Sequence, residues 1–144
     1  MITEAIILAG GFGTRLKHVL GNIPKPMAPV DGRPFLAYLF ERLRGVGINH
    51  VILSTGYMHE KVQEYFGDSY RGINISYAQE TTPLFTGGAI ALASTFAKSN
   101  DILVLNGDTL FDIDFSLFQN FHFDKGNNIT IALRKVENVE RYGA

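Results

Sequence analysis

Short apolar runs separated by polar and glycine-rich breaks set the rhythm of this chain. Ala5 to Ala9 (AIILA) is uniformly apolar, Asn49 to Thr55 (NHVILST) is apolar at its centre, and Asp101 to Asn106 (DILVLN) has a similar character. Such runs predict strands buried on both faces, as in a parallel sheet. Ile73 to Tyr77 (INISY) alternates cleanly and predicts a further strand, and Ile129 to Leu133 a fifth.

Between these runs the apolar spacing changes to that of helices. Phe35, Leu36, Leu39, Phe40, Leu43 and Val46 fall on one stripe, with Arg42 and Arg44 off it. Pro34 belongs in the first turn of that helix, and Gly45 and Gly47 end it. His59 to Phe66 predicts a helix with Val62, Tyr65 and Phe66 inward. Thr86-Gly87-Gly88 opens an alanine-rich helix over Ala89 to Ala97, after a polar loop from Gln79 to Phe85. Phe115 to Phe123 predicts a helix, and Thr14 to Leu20 a short one broken by Gly21-Asn22. Pro24, Pro26 and Pro29 are expected to keep the next stretch extended and stiff, before a turn at Asp31-Gly32.

Strands alternating with helices give an α/β domain, a mostly parallel sheet flanked by helices. Residues 1–144 are the length of one ordinary domain. In such folds ligands bind beyond the carboxyl ends of strands. Three polar or glycine-rich stretches follow strand ends: Gly10 to Arg15, Gln79 to Gly88, and Gly107 to Thr109. Their shared placement predicts one site.

Composition narrows what that site takes. Apolar residues are 46% and charged residues 19% of the chain, as in a folded globular protein. The net charge is −1 and no run of Lys or Arg occurs, which removes the electrostatic case for a general nucleic-acid binder. With no cysteine there are no disulfides, thiolate metal sites or thiol nucleophile. No basic leader opens the chain, and no apolar run approaches the ~20 residues of a membrane span. The expectation is a soluble, cytoplasmic protein with no membrane partner.

The chemistry centres on Leu8-Ala9-Gly10-Gly11-Phe12-Gly13-Thr14-Arg15-Leu16. Glycine lets backbone N–H groups approach an anion closely, and arginine adds a planar fork of donors. Gly11 and Gly13 start a dinucleotide fingerprint, but Leu16 occupies its third glycine position, and no P-loop string occurs. A nicotinamide oxidoreductase also lacks its acidic residue, because the second strand ends Leu53-Ser54-Thr55-Gly56. Lys25, between two prolines, is a solvated lysine or a cation held over a phosphoryl group. Asp108, after Gly107, is a turn-forming aspartate or a Mg²⁺ ligand. Gln79 and Glu80 offer amide and carboxylate edges to a base, or form an ordinary loop. Asp112 and Asp114 fit turn and helix-cap roles. The histidines carry no ligand spacing, and Phe111, Phe115, Phe118, Phe121 and Phe123 are expected to pack the core.

Taken together, the glycine loop and Pro24-Lys25-Pro26-Met27-Ala28-Pro29-Val30 resemble the signature of sugar-1-phosphate nucleotidylyltransferases. Leu84-Phe85-Thr86-Gly87-Gly88-Ala89 and Asn106-Gly107-Asp108 are similar to that family's next two motifs, in order. The resemblance extends across all 144 residues. It implies a Rossmann-like nucleotidyltransferase fold and the reaction NTP + sugar 1-phosphate → NDP-sugar + pyrophosphate, with Mg²⁺. By the same resemblance Arg15 and Lys25 are catalytic. Arg15 holds the triphosphate, and Lys25 holds the sugar phosphate and the charge developing on the α-phosphoryl group. Asp108 binds Mg²⁺. Leu8, Ala9, Gly10, Gly11, Gly13 and Thr14 line the nucleotide, with Gln79 and Gly87 near the base, and Tyr142 and Gly143 reach the sugar.

Phe85 stands where that family often has glycine. The Ile23–Val30 run and Arg33-Pro34-Phe35-Leu36 are most similar to the D-glycero-α-D-manno-heptose 1-phosphate guanylyltransferase branch, which implies GTP. Thymidylyl- and uridylyltransferases acting on other hexose 1-phosphates share these runs and stay open as alternatives. The family continues past residue 144, so the chain resembles the N-terminal, nucleotide-binding part of a longer enzyme, truncated at its C-terminus. Weak nucleotide binding with little turnover is then expected of the chain itself. A nucleotide-sensing module is the other class of reading, and the joint presence of Arg15, Lys25 and Asp108 argues against it. The resemblance also leaves room for a homo-oligomer.

Overall fold

The computed structural model describes residues 1–11, 21 and 23–136. It divides into two compact units, Met1–Phe111 and Asp112–Ala144. The helix expected over residues 14–20 lies outside the described residues.

The first unit is built on a five-stranded sheet. β1 (Glu4–Leu8), β4 (His50–Thr55), β6 (Ile73–Gln79) and β7 (Leu103–Asn106) are parallel, and β5 (Ser69–Tyr70) adds an antiparallel edge. The spatial order is β5-β6-β4-β1-β7. Ala5, Ile6, Ile7, Val51, Ile52 and Leu53 are fully buried. Uniformly apolar strands therefore occupy the centre, where helices cover both faces.

The chain steps from β1 outward to β4 and β6, then returns to lay β7 on the other side of β1. That reversal between β1 and β7 is a topological switch point, where ligands of open α/β sheets bind. Leu8 pairs with Ser54 on one side and with Asn106 on the other. The turns after β1, β4 and β7 thus leave the sheet side by side.

Helix α1 (Phe35–Gly45) buries Leu36, Ala37, Leu39, Phe40 and Leu43, the expected stripe. Pro34 precedes it rather than sitting inside it, ending a two-stranded hairpin of β2 (Pro29–Val30) and β3 (Arg33–Pro34). Asp31 and Gly32 make its turn with φ 47° and 75°. Such short strands leave no periodic signal in a sequence.

Helix α2 (His59–Phe66) buries Val62 and Phe66, and the Phe40 and Phe66 rings stack at 5.1 Å. Tyr65 is 47% exposed, contrary to the expected inward face. It lies three residues beyond Val62, where 3.6-residue periodicity has turned it toward the edge. Helix α3 (Phe85–Ser94) begins four residues before the predicted Ala89 and ends before Ala97. Its Ala93 packs with Ile6, Ile52 and Ala78, supported by Ile90 and Leu92.

At the amino ends of the strands, buried Glu4 organises a polar knot. Its carboxylate accepts from Lys98 N at 2.9 Å and from Ser99 N at 2.5 Å, and it pairs with His50 Nδ1 at 2.6 Å. Burial pushes this carboxyl up, but the His50, Ser99 and Lys98 hydrogen bonds outweigh it and bring it down to about 2.

In the second unit, α4 (Phe115–Lys125) is capped by Asp114, whose Oδ1 accepts from Ser116 N at 2.8 Å and Leu117 N at 3.0 Å. This is the cap role expected of Asp114. Phe121 and Phe123 are 52% and 43% exposed, which corrects their core assignment. The steps of three from Phe115 to Phe121 fall short of a 3.6-residue turn and the step of two to Phe123 falls shorter, so these aromatics spiral around the helix. The strand expected over Ile129–Leu133 does not form, and Ile129, Ile131 and Leu133 are 77%, 72% and 87% exposed. An alternating segment becomes a strand only by pairing, and no other strand is described in this unit.

Candidate functional site

The carboxyl ends of the parallel strands surround a cavity of about 790 Å³. Leu8, Ala9, Gly10 and Gly11 form its floor after β1, Gly56 and Tyr57 follow β4, and Asn106 and Asp108 follow β7. Glu80 to Pro83, Phe85, Thr86 and Ala89 close the β6 side, and Lys25 with Pro26 completes the lining. The structure therefore brings together Leu8, Ala9, Gly10, Gly11, Lys25 and Asp108. Gln79 is the exposed last residue of β6 and Gly87 sits in the first turn of α3, and the cavity is lined instead by their neighbours Glu80 and Thr86. Gly13, Thr14, Arg15, Tyr142 and Gly143 lie outside the described residues.

The glycines are explained by contact. A Cβ on Gly107 would stand 2.9 Å from the Leu8 carbonyl oxygen and 3.1 Å from Ile7 Cγ2. The Gly107 N–H donates to that same oxygen at 2.8 Å, so β7 turns away from β1 with its backbone pressed against it. Asp108 is delivered by this contact. A Cβ on Gly10 would stand 2.6 Å from Glu80 Oε1 and displace that carboxylate from its hydrogen bonds, and a Cβ on Gly56 would meet the Gly10 carbonyl oxygen at 3.1 Å.

Glu80 ties three of these segments together. It accepts from the buried Ser54 Oγ at 2.9 Å through Oε1 and from Leu84 N at 3.1 Å through Oε2. One carboxylate thus joins the end of β4, the floor glycine and the loop leading to α3. The base-reading edge expected of Glu80 faces a second use here, as the brace of its own loop. Asn106 entered through its motif with Gly107 and Asp108, whereas Ser54, Gly56 and Tyr57 escape sequence reasoning as site residues. The one signal for them is the Ser-Thr-Gly ending of the second apolar run.

Lys25 is presented by rigid backbone. It opens a 3-10 turn, Lys25–Met27, rather than the extended stretch expected from the prolines. Proline is well placed at the start of a helical turn, where its missing N–H is not needed. Met27 N donates to Pro24 O at 2.8 Å, and Pro26 is buried. From this turn Lys25 Nζ reaches Asp108 Oδ2 at 2.6 Å, across 83 residues of sequence. Partial burial pushes the Asp108 carboxyl up, and hydrogen bonds from Lys25 and Thr109 hold it below the ordinary carboxylate range. At 37% and 35% side-chain exposure both groups remain open to the cavity.

Among the described residues no three His, Cys, Asp or Glu cluster as a metal centre. Asp108 nonetheless fits a hard cation of the magnesium kind, which takes one or two protein carboxylates and completes its shell with substrate phosphate oxygens and water. Asp108 is held toward its ionised form and lines the cavity, with Lys25 on Oδ2 and the Thr109 hydroxyl donating to Oδ1 at 3.0 Å, so a cation would replace one of these partners. No helix among the described residues is long and apolar enough to cross a membrane.

The family model described as Nucleotidyl transferase matches residues 4–144. D-glycero-alpha-D-manno-heptose 1-phosphate guanylyltransferases from Aneurinibacillus thermoaerophilus and from Campylobacter jejuni subsp. jejuni are each 48% identical over 140 residues. The alignment covers 97% of this chain and 61% of each relative, so the chain spans about three-fifths of their length. Among solved structures, HddC from Yersinia pseudotuberculosis complexed with GMP-PN is similar with a TM-score of 0.75 and 37% identity. That match covers 85% of this chain and 55% of the other. The expected fold class, a Rossmann-like nucleotidyltransferase sheet flanked by helices, is thereby shown.

Proposed function

The chain belongs to the nucleotidyl transferase family, and from that premise we propose that its cavity holds the nucleotide of a sugar-1-phosphate guanylyltransferase. The substrates are GTP and D-glycero-α-D-manno-heptose 1-phosphate. The observation that carries the reading is the Lys25–Asp108 pair, a cation and an anion presented into one cavity beside a glycine floor. The two heptose-phosphate relatives support the choice of base and sugar.

In the reaction an oxygen of the sugar phosphate attacks the α-phosphorus of GTP. The new O–P bond forms as the bond to the β-phosphate oxygen breaks, and pyrophosphate leaves. Leu8 to Gly11, continuing into Gly13 and Thr14, cradle the nucleotide, and Gln79 and Gly87 approach the base. Lys25 leaves Asp108 for the phosphates and balances the charge that builds on the α-phosphoryl group. Arg15 holds the triphosphate and steadies the departing pyrophosphate. Tyr142 and Gly143 meet the sugar. Asp108 would hold Mg²⁺, which when bound supplies charge neutralisation at the phosphate oxygens. Transfer of this kind is catalysed chiefly by positioning and electrostatics, so fixed cations suffice. Within that reaction residues 1–144 are the nucleotide-holding part, working in the cytoplasm.

A thermal-shift panel with GTP, UTP, dTTP and CTP, each with Mg²⁺, tests the base. GTP should raise Tm most, because a ligand of the folded state alone stabilises it. Equal shifts for all four, or none, would overturn the guanylyl assignment. Pyrophosphate release with a set of sugar 1-phosphates then tests the acceptor.

A further inference from the structure

Among the described non-glycine residues with left-handed backbone, Asp31, Met58, Arg71 and Phe85, only Phe85 lines the cavity. It opens α3 with φ 58°, the left-handed region that phenylalanine avoids and glycine adopts freely. Its side chain is 87% exposed, yet it lines the cavity. The strained backbone costs the folded state, and the exposed ring contributes almost no burial to offset it. Residues held in this way cluster at ligand clamps, where the ligand makes use of the strain.

The position of the ring within the cavity indicates which part of a ligand it meets. Asp108, which pairs with Lys25, follows the carboxyl end of β7, and the loop that carries Phe85 follows the carboxyl end of β6. Between β6 and β7 lie β4 and β1, so the two ends are three strand spacings apart, ~14 Å. Among the described residues no Lys or Arg follows β6 into the cavity lining. A nucleoside triphosphate laid across the strand ends puts its phosphates at Lys25 and its flat base at Phe85. Glu80, braced by Ser54 and Leu84 N, fixes the loop that carries the ring.

We propose that Phe85 is a specificity-determining residue whose ring stacks on the nucleobase and favours purines. This rests on the proposed nucleotide site. A purine offers a larger π-face than a pyrimidine, and aromatic stacking on a base is worth roughly tenfold or more in affinity.

The experiment is calorimetric titration of the chain, and of Phe85→Gly, Phe85→Leu and Phe85→Tyr, with GTP and with UTP in Mg²⁺, alongside each variant's Tm. Phe85→Gly should keep or raise Tm by ~2–4 °C as the left-handed strain is relieved. It should weaken GTP by ~10-fold and UTP by less, so that the GTP/UTP preference shrinks. Phe85→Tyr should bind GTP like the parent, and Phe85→Leu should fall near Phe85→Gly. A marked loss of Tm in Phe85→Gly would make the ring a packing residue and overturn the inference. Unchanged GTP affinity, or equal losses for both nucleotides, would overturn it as well. If the parent binds neither nucleotide, the proposed site itself fails.

Discussion

Replacing Gly107 by alanine tests how the site is built. The added Cβ stands 2.9 Å from Leu8 O, 3.1 Å from Ile7 Cγ2 and 3.3 Å from Ala9 Cβ. The φ of Gly107 is not positive, so the penalty is contact and not backbone conformation. Leu8 O is main chain inside the sheet and already accepts from Gly107 N at 2.8 Å. Relief therefore requires β7 to withdraw from β1 by a few tenths of an ångström, stretching that bond and moving Asp108 with it. Overpacking of this kind costs ~1–3 kcal/mol. For a chain of this size that corresponds to ~3–10 °C in Tm. Gly87→Ala is the matched control, because among the described residues nothing lies within 4 Å of its added Cβ and it sits in α3. Helix propensity makes that change neutral or stabilising by up to ~1 kcal/mol. Differential scanning calorimetry of both variants decides the matter. A Gly107→Ala Tm within about 1 °C of the parent, where a loss of at least ~3 °C is expected, would refute the reasoning that backbone contact delivers Asp108.

The Glu4 carboxyl is held at about 2 against an ordinary 4.5, so it stabilises the fold above the ordinary value and that stability is lost as pH falls through the folded one. The difference corresponds to about 3 kcal/mol lost between roughly pH 4.5 and 2. Urea unfolding of the parent and Glu4→Gln across this window should show the parent's extra stability shrinking toward acid; parallel curves would contradict it. Lys25→Ala should strengthen binding of Mn²⁺ alone, read by paramagnetic relaxation of water, because the competing ammonium on Asp108 is gone. Unchanged Mn²⁺ affinity would mean that the pair does not occupy the cation site.

The parallel core was legible because strands buried on both faces write uniformly apolar runs, as Ala5–Ala9 and Asn49–Thr55 do. The hairpins at Pro29–Pro34 and Ser69–Ile73 were not, because strands of two residues carry no period. Ile129–Leu133 was misread for the opposite reason: the period is there, but pairing decides whether it becomes a strand. In the site, Lys25 and Asp108 could be named one at a time from turn chemistry. Their meeting across 83 residues follows from the switch point between β1 and β7, which no local pattern encodes. Glu80 was named for its carboxylate edge, but the bracing by Ser54 and Glu80 was hidden for a related reason, since a brace acts through its partners and not through a motif.

The central claim is that Lys25 and Asp108 form the phosphate end of one metal-dependent nucleotide site. Isothermal titration calorimetry with GTP, with and without Mg²⁺, on the parent, Lys25→Ala and Asp108→Asn tests it most directly. GTP should bind the parent more tightly with Mg²⁺. Lys25→Ala should weaken GTP by ~10-fold or more, on the scale of one lost charge-assisted contact. Asp108→Asn should stay folded and lose the Mg²⁺ enhancement. Equal GTP affinity in all three proteins, unaffected by Mg²⁺, would contradict the account.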